Sequence, residues 1–319
     1  AWIPKEDWWP INDVWAYHDW HASGNGESAP FMAQIQAEFG APTSLEDFER
    51  KAQMLNYVDH RAIFEGMNAH LWAPNSGRIL WMTQPAWPSN MWQILSSDYD
   101  TQASYYGTKK ASEAIHIQLD LSNFNVDIVN NTTAPLSGLS ATAAVYSLDN
   151  KSLLQHEEKK DVPANAVANG FKLDLAPHLS NAVALVKLEL RSATGQLLSD
   201  NFYWLAADSA SYRLLTKLPT ANLSATASST RVEDAVHVRV QLQNHGTTVA
   251  LANKLTLLNA SGGLRILPAY LSDNYFSLLP GETREIDIEY PAAAAQGAPQ
   301  VALRGWNLSP QTISVTPQK

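Results

Sequence analysis

The chain of 319 residues carries 22 basic against 31 acidic side chains, a net charge of −9, with 45% hydrophobic and 17% charged residues. That balance excludes intrinsic disorder and argues against nucleic acid or an anionic membrane surface as a partner. No cysteine is present, which removes disulfides, thiolate catalysis and cysteine-ligated zinc, and fits an exported protein without requiring one.

Nine of the eleven Trp (positions 2, 8, 9, 15, 20, 72, 81, 87 and 92) and all five Met fall within residues 1–92. Only Trp204 and Trp306 lie beyond, so two kinds of structure meet near residue 110. The opening AWIPKEDWWP has neither the basic start nor the apolar stretch of a signal peptide, and no run approaches a membrane span. FMAQIQAEF (31–39) places Phe31, Ile35 and Phe39 at spacings of four, then stops at Gly40 and Pro42. Thr43 with Glu46 predicts a capping box. Beyond it Leu45, Phe48, Ala52, Leu55, Val58, Ala62, Met67 and Leu71 predict one helix from about Ser44 to Trp72. After the turn at 74–77, RILWM (78–82) reads as a buried strand covered on both faces, the grammar of parallel α/β architecture.

From Ile115 the pattern changes to short alternating segments at intervals of about ten residues: IHIQLDL, FNVDIV, ATAAVYSL, FKLDL, AVALVKLEL and NFYWLA. A second set, VHVRVQLQN, NKLTLLNA, REIDIEY and QVALRGWNL, follows a polar stretch near 207–211. Two β-sandwiches are predicted, with boundaries giving segments 1–111, 112–208 and 209–319.

Candidates for chemistry are few. GNGESA (24–29) has no strand before it and reads as a turn rather than a dinucleotide loop. His18 and His21 are spaced like metal ligands but have no third partner nearby, so ordinary histidines are expected. Neither a metal nor a cofactor is expected. The stretch ILWMTQPAWPSNMW (79–92) is the strongest feature. Its rings and amides, Trp81, Gln84, Trp87, Asn90 and Trp92, suit the apolar face and hydroxyls of a pyranose. The same rings could instead cap a hydrophobic core, and chemistry alone leaves both readings open.

WAYHDW, FGAPTSLEDFERKAQ (39–53), ILWMTQPAWPSNMW and DTQASYYGTKKASEAIHIQL (100–119) occur in one order, followed by SDNFYWLA, SDNYFSLLPGE and VALRGWN. This succession resembles the C-terminal part of glycoside hydrolase family 2, in its branch of β-mannosidases, mannosylglycoprotein endo-β-mannosidases and exo-β-D-glucosaminidases. The resemblance implies the C-terminal piece of a (β/α)8 barrel followed by two immunoglobulin-like β-sandwiches. It implies a retaining, cofactor-free enzyme acting on an oligosaccharide or glycan, whose two glutamates lie about 5 Å apart. Both precede the matched segments in that family, so no catalytic residue is expected in this chain, and an upstream part of the same enzyme is the implied partner. Glu38-Phe39-Gly40 echoes the surroundings of the family's nucleophile, but Glu38 ends a helical segment rather than a strand. Asp59, Glu65, Asp98 and Asp100 have no motif support and are expected at the surface or at helix ends. Trp81 matches the tryptophan of the last barrel strand, and Trp87 one common to the endo-β-mannosidase and glucosaminidase side. The expected activity is cleavage of β-mannosidic linkages, in a periplasmic or secreted setting. Exo-β-D-glucosaminidase activity and a non-catalytic carbohydrate-binding or supporting role are the alternatives.

Overall fold

The computed structural model describes residues 2–20, 28–90 and 93–318. The first part is helical: α1 (Asp13–Tyr17), α2 (Ala29–Phe39), α3 (Leu45–Asn68) and α4 (Ala103–Ala111). Gly40, at φ 79°, ends α2 in the left-handed region that glycine enters without steric cost. The cap of α3 forms one residue later than Thr43 and Glu46 suggest. Ser44 Oγ accepts from the Asp47 amide at 3.2 Å, and Asp47 accepts from the Thr43 amide at 3.0 Å. α3 also ends four residues short of Trp72, where Asn75 donates its side-chain amide to the Met67 carbonyl at 2.8 Å and supports the turn.

Two expectations need correction here. Residues 78–84 form no strand, and no piece of a (β/α)8 barrel is evident among the described residues. A barrel strand takes its hydrogen bonds from neighbours on both sides, and the helical segment offers none. Ile79 is accordingly 94% exposed and Trp81 77%. Phe48, Ala52 and Leu55 of the expected apolar stripe are buried in α3, but toward its C-terminus the buried face departs from that stripe. Met54, Tyr57, Arg61, Phe64, Glu65 and Asn68 are buried, while Met67 faces solvent.

The first sandwich packs a sheet of β1 (Ile115–Leu119), β2 (Asn125–Asn130) and β5 (Ala166–Lys172) on a sheet of four strands. Those are β4 (Ser152–Val162), β3 (Leu136–Ser147), β6 (Ala184–Arg191) and β7 (Leu197–Leu205), in that spatial order. Its core holds Ile117, Ile128, Ala141, Val145, Leu188 and Tyr203. A four-residue helix, α5 (Ala176–Leu179), crosses between β5 and β6.

The last part is a curled sheet of eight strands. It comprises β8 (Leu223–Val232), β9 (Ala235–Asn244), β10 (Ala250–Asn259), β11 (Tyr270–Leu271), β12 (Phe276–Leu278), β13 (Thr283–Pro291), β14 (Pro299–Gly305) and β15 (Leu308–Pro317). Their order is β11-β13-β9-β8-β15-β14-β10-β12. β15 carries the sheet around, pairing antiparallel with β14 and parallel with β8.

Both tryptophans of the β-region sit where it meets the helices. Trp306 packs on Phe39 with ring centroids 5.0 Å apart, lies under the Arg50 guanidinium and donates its indole N–H to Leu215 O at 2.8 Å. Trp204 stacks on Tyr57 of α3 at 6.3 Å. One continuous apolar core therefore runs from Ile3 and Trp15 through Phe48 into Leu255 and Ile286.

One buried carboxyl sets a pH dependence. Burial pushes Asp127 of β2 up to about 6, against a hydrogen bond from Asn169 at 2.7 Å that favours the ionised form. An unfolded aspartate titrates near 3.9. The folded state therefore binds this proton more tightly, and its contribution is present below about 4 and lost as pH rises through about 6. Asp127→Asn is expected to remove that loss. The difference in urea midpoint between variant and wild type should move in the variant's favour between pH 4.5 and 7; a pH-independent difference would contradict it.

Candidate functional site

A cavity of about 620 Å³ opens between the N-terminal tryptophans, α3 and the loop residues 89–90 and 96–102. Asn12 caps α1 by accepting from the Val14 amide at 3.0 Å, and Trp15 donates its indole N–H to Asp7 O at 2.9 Å. These contacts hold Trp15 edge-on to Trp20 and Phe48, with centroids 6.2 and 5.8 Å away, and Trp20 edge-on to Phe48 at 5.6 Å. Edge-to-face rings of this kind form a rigid apolar wall. Asn56, Asp59 and His60 of α3 also line the cavity, with Asp98 and Asp100. The loop is pinned by Leu95 N to Thr83 O at 3.0 Å, Asn90 N to His18 O at 2.8 Å and Ala103 N to Gln53 Oε1 at 2.8 Å.

Most of the cavity's charge is neutralised. Arg265 bridges Asp98, at 2.5 Å, and Asp100. Glu49 pairs with Lys254 at 2.8 Å, and that lysine holds its carboxyl below the usual range. Asp59 has no ion-pair partner among the described residues, and burial pushes it up toward the protonated form. Chemically, the cavity offers an aromatic wall, amides and one carboxyl without an ion-pair partner among the described residues, a set suited to a polyhydroxylated ring.

The predicted site residues are not gathered in it. Asn90 lines the cavity, and its Nδ2 is buried without a hydrogen-bond partner. Trp81 points into solvent. Trp87, 40% exposed, stacks on His18 at 5.3 Å and meets Tyr17 edge-on at 5.6 Å. Gln84 is half-buried beside Pro85, and Trp92 lies outside the described residues, as does His21 and most of GNGESA. His18 is a packing residue, with Nδ1 2.8 Å from the Pro88 carbonyl. Glu38 sits in the last turn of α2, accepts from Gln34 at 3.0 Å and is absent from the cavity lining. Burial pushes its carboxyl up, opposed by Gln34 and helped by Asp59.

The expectation of surface positions fails for Glu65, which is 3% exposed. Its carboxylate accepts from Asn201 Nδ2 at 2.6 Å and from Tyr203 OH at 3.0 Å, faces His116 Nε2 at 3.1 Å, and lies 3.9 Å from Arg61 Nε. From His116 the charges continue through Glu113, Lys110, Asp200 and Arg284 to Asp273, in steps of 3.0, 2.7, 3.1, 2.7 and 2.6 Å. Although burial alone would raise Asp200, Lys110 and Arg284 hold it far below the usual range. This chain of charges links α3, α4, the first sandwich and the curled sheet. The signal available in the sequence was Arg61 and Glu65 at i, i+4, in register with Met54, Tyr57 and Asn68 on one helix face.

Comparison with known proteins places these parts. Residues 122–207 match the mannosidase Ig/CBM-like domain, and residues 201–308 match the exo-β-D-glucosaminidase Ig-fold domain. The chain matches the C-terminal part of this glycoside hydrolase branch. It is 29% identical to mannosylglycoprotein endo-β-mannosidase of Lilium longiflorum, over 95% of this chain and 38% of that protein. With exo-β-D-glucosaminidase of Streptomyces avermitilis the identity is 30%, over 93% of this chain and 36% of that protein. The solved structure of Amycolatopsis orientalis exo-chitosanase CsxA superposes with a TM-score of 0.85 at 30% identity, covering 91% of this chain and 37% of that one. The chain thus spans little more than a third of the length of these relatives. No helix of the described residues is long and apolar enough to cross a membrane.

Proposed function

We propose that this chain is the C-terminal portion of a retaining glycoside hydrolase that cleaves β-mannosidic linkages. The observation that carries the hydrolase reading is likeness at 29–30% identity over more than nine-tenths of the chain to enzymes that are all glycosidases by name. The catalytic barrel and its carboxyl pair belong to the preceding portion. Segment 112–208 and segment 209–319 buttress that barrel. On this reading Trp81, Gln84, Trp87, Asn90 and Trp92 border the bound sugar. An exported, periplasmic or secreted setting fits the absence of cysteine.

Mannose is favoured because a sugar with a free ammonium needs an uncompensated anionic seat. In the cavity Glu49, Asp98 and Asp100 are already paired, which leaves Asp59 as the one lining carboxyl without an ion-pair partner among the described residues. Exo-β-D-glucosaminidase activity is the second reading, favoured by the match over residues 201–308 and by the likeness to CsxA. Nitrophenyl β-mannoside and nitrophenyl β-glucosaminide, offered to this chain joined to its preceding portion, separate the two. Faster release from the mannoside is expected; faster release from the glucosaminide would transfer the assignment to the second reading, and release from neither would defeat both.

A further inference from the structure

The segment ASEAIHIQL, which joins α4 to β1, buries a histidine that takes no part in the sugar site. His116 is fully buried, with Nδ1 3.0 Å from Glu113 Oε2 and Nε2 3.1 Å from Glu65 Oε1. A carboxylate oxygen only accepts, so an imidazole that faces one at each nitrogen has to donate from both. Both carboxylates also accept from other donors. Asn201 and Tyr203 serve Glu65, while Lys110, at 2.7 Å, and Ser199, at 2.7 Å, serve Glu113. A neutral ring would set a nitrogen lone pair against a buried carboxylate oxygen.

Glu65 belongs to α3, Glu113 follows α4, and His116 lies in β1 opposite Val129 of β2. We propose that His116 is a buried cationic fastener whose proton holds the helical segment on the first sandwich, so that this joint loosens at alkaline pH. The other charges around it are accounted for. Arg61 on α3 bonds Asn201 Oδ1 at 3.0 Å and the Phe202 carbonyl, and Asp200 on β7 is paired with Lys110 and Arg284. Tyr203 donates to Glu65, Asp127 on β2 is bonded by Asn169, and Lys187, Glu189 and Arg191 on β6 pair among themselves and with Glu282. Burial by itself would lower the ring's pKa, but the hydrogen bonds with Glu113 and Glu65 outweigh it and raise it. A histidine raised by folding contributes stability that is fully present below its unfolded value, near 6.5, and is lost as pH climbs through the folded value.

Nitrogen-15 NMR of the imidazoles in the whole chain tests this, with His116→Gln providing the assignment and Glu113→Gln replacing it if that variant does not fold. Both ring nitrogens of His116 should carry protons at pH 7. Amide exchange across the α3–β1 junction, corrected for intrinsic base catalysis, should then rise roughly a hundredfold or more as the ring titrates, as for a broken buried pair. Glu113→Gln should move that transition to lower pH. A neutral tautomer at pH 7, or corrected exchange that stays flat through the titration, would overturn the proposal. Neither result bears on which sugar the enzyme cleaves.

Discussion

Replacing Glu65 by alanine is expected to destabilise the chain by about 3–5 kcal/mol, the range for breaking a buried ion pair by removing one partner. The cost does not come from lost attraction alone. Arg61, 2% exposed, would be left buried without its carboxylate, His116, fully buried, would keep only Glu113, and Asn201 and Tyr203 would each lose an acceptor. Glu65→Gln keeps the shape and one acceptor oxygen, so it should lose less, while still turning donors toward donors at His116. Urea unfolding followed by tryptophan fluorescence measures both. A loss under about 1 kcal/mol for the alanine variant would show that the cluster relaxes or admits water.

A second large effect is expected at Gly107, in the middle of α4. Alanine is the better helix former by about 1 kcal/mol, so on an exposed helix this change would stabilise. Here an added methyl would overlap the Tyr57 carbonyl oxygen and approach the Arg61 amide nitrogen at 3.1 Å, both backbone atoms of α3. Neither can swing aside like a side chain, so the two helices must separate. That shift would strain Asn68 Nδ2 to Ala111 O, 2.8 Å, and the Lys110 pairs with Glu113 and Asp200. Gly107→Ala should therefore cost about 2 kcal/mol net, within the usual range for overpacking. An unchanged or higher melting temperature would mean that α3 and α4 pack less tightly than their backbone distance indicates.

Much of the β-region was legible because its buried strands alternate. VHVRVQLQN and REIDIEY bury every second residue, as β9 and β13 do. Strands missing from that reading are polar. β4, SLLQHEEKKDV, lies at a sheet edge with most of its side chains in solvent, and β8, LSATASSTRV, is rich in serine and threonine. Neither leaves an apolar period to read. In the helical segment the existence of α2 and α3 followed from their caps and period. The buried side of α3 did not, because a stripe of hydrophobic residues assumes that charges point outward. Arg61 and Glu65 break that assumption through partners on β1 and β7, more than fifty residues away in sequence. RILWM was misread for a related reason: five apolar-rich residues describe a strand only if neighbours exist to pair with it. Asn90 lines the candidate cavity, whereas its wall of Trp15, Trp20 and Phe48 depends on tertiary contacts that no spacing announces.

A chain of ion pairs ties the two β-domains to the helices, and on the proposed reading the bond-breaking carboxyls lie in a preceding portion. Turnover of nitrophenyl β-mannoside and nitrophenyl β-glucosaminide by residues 1–319 alone, beside the same chain joined to that portion, tests this most directly. The account predicts no release above the buffer rate from the chain alone and enzyme-like release from the joined protein. Enzyme-like release by the chain alone, abolished by Glu38→Gln, would contradict it.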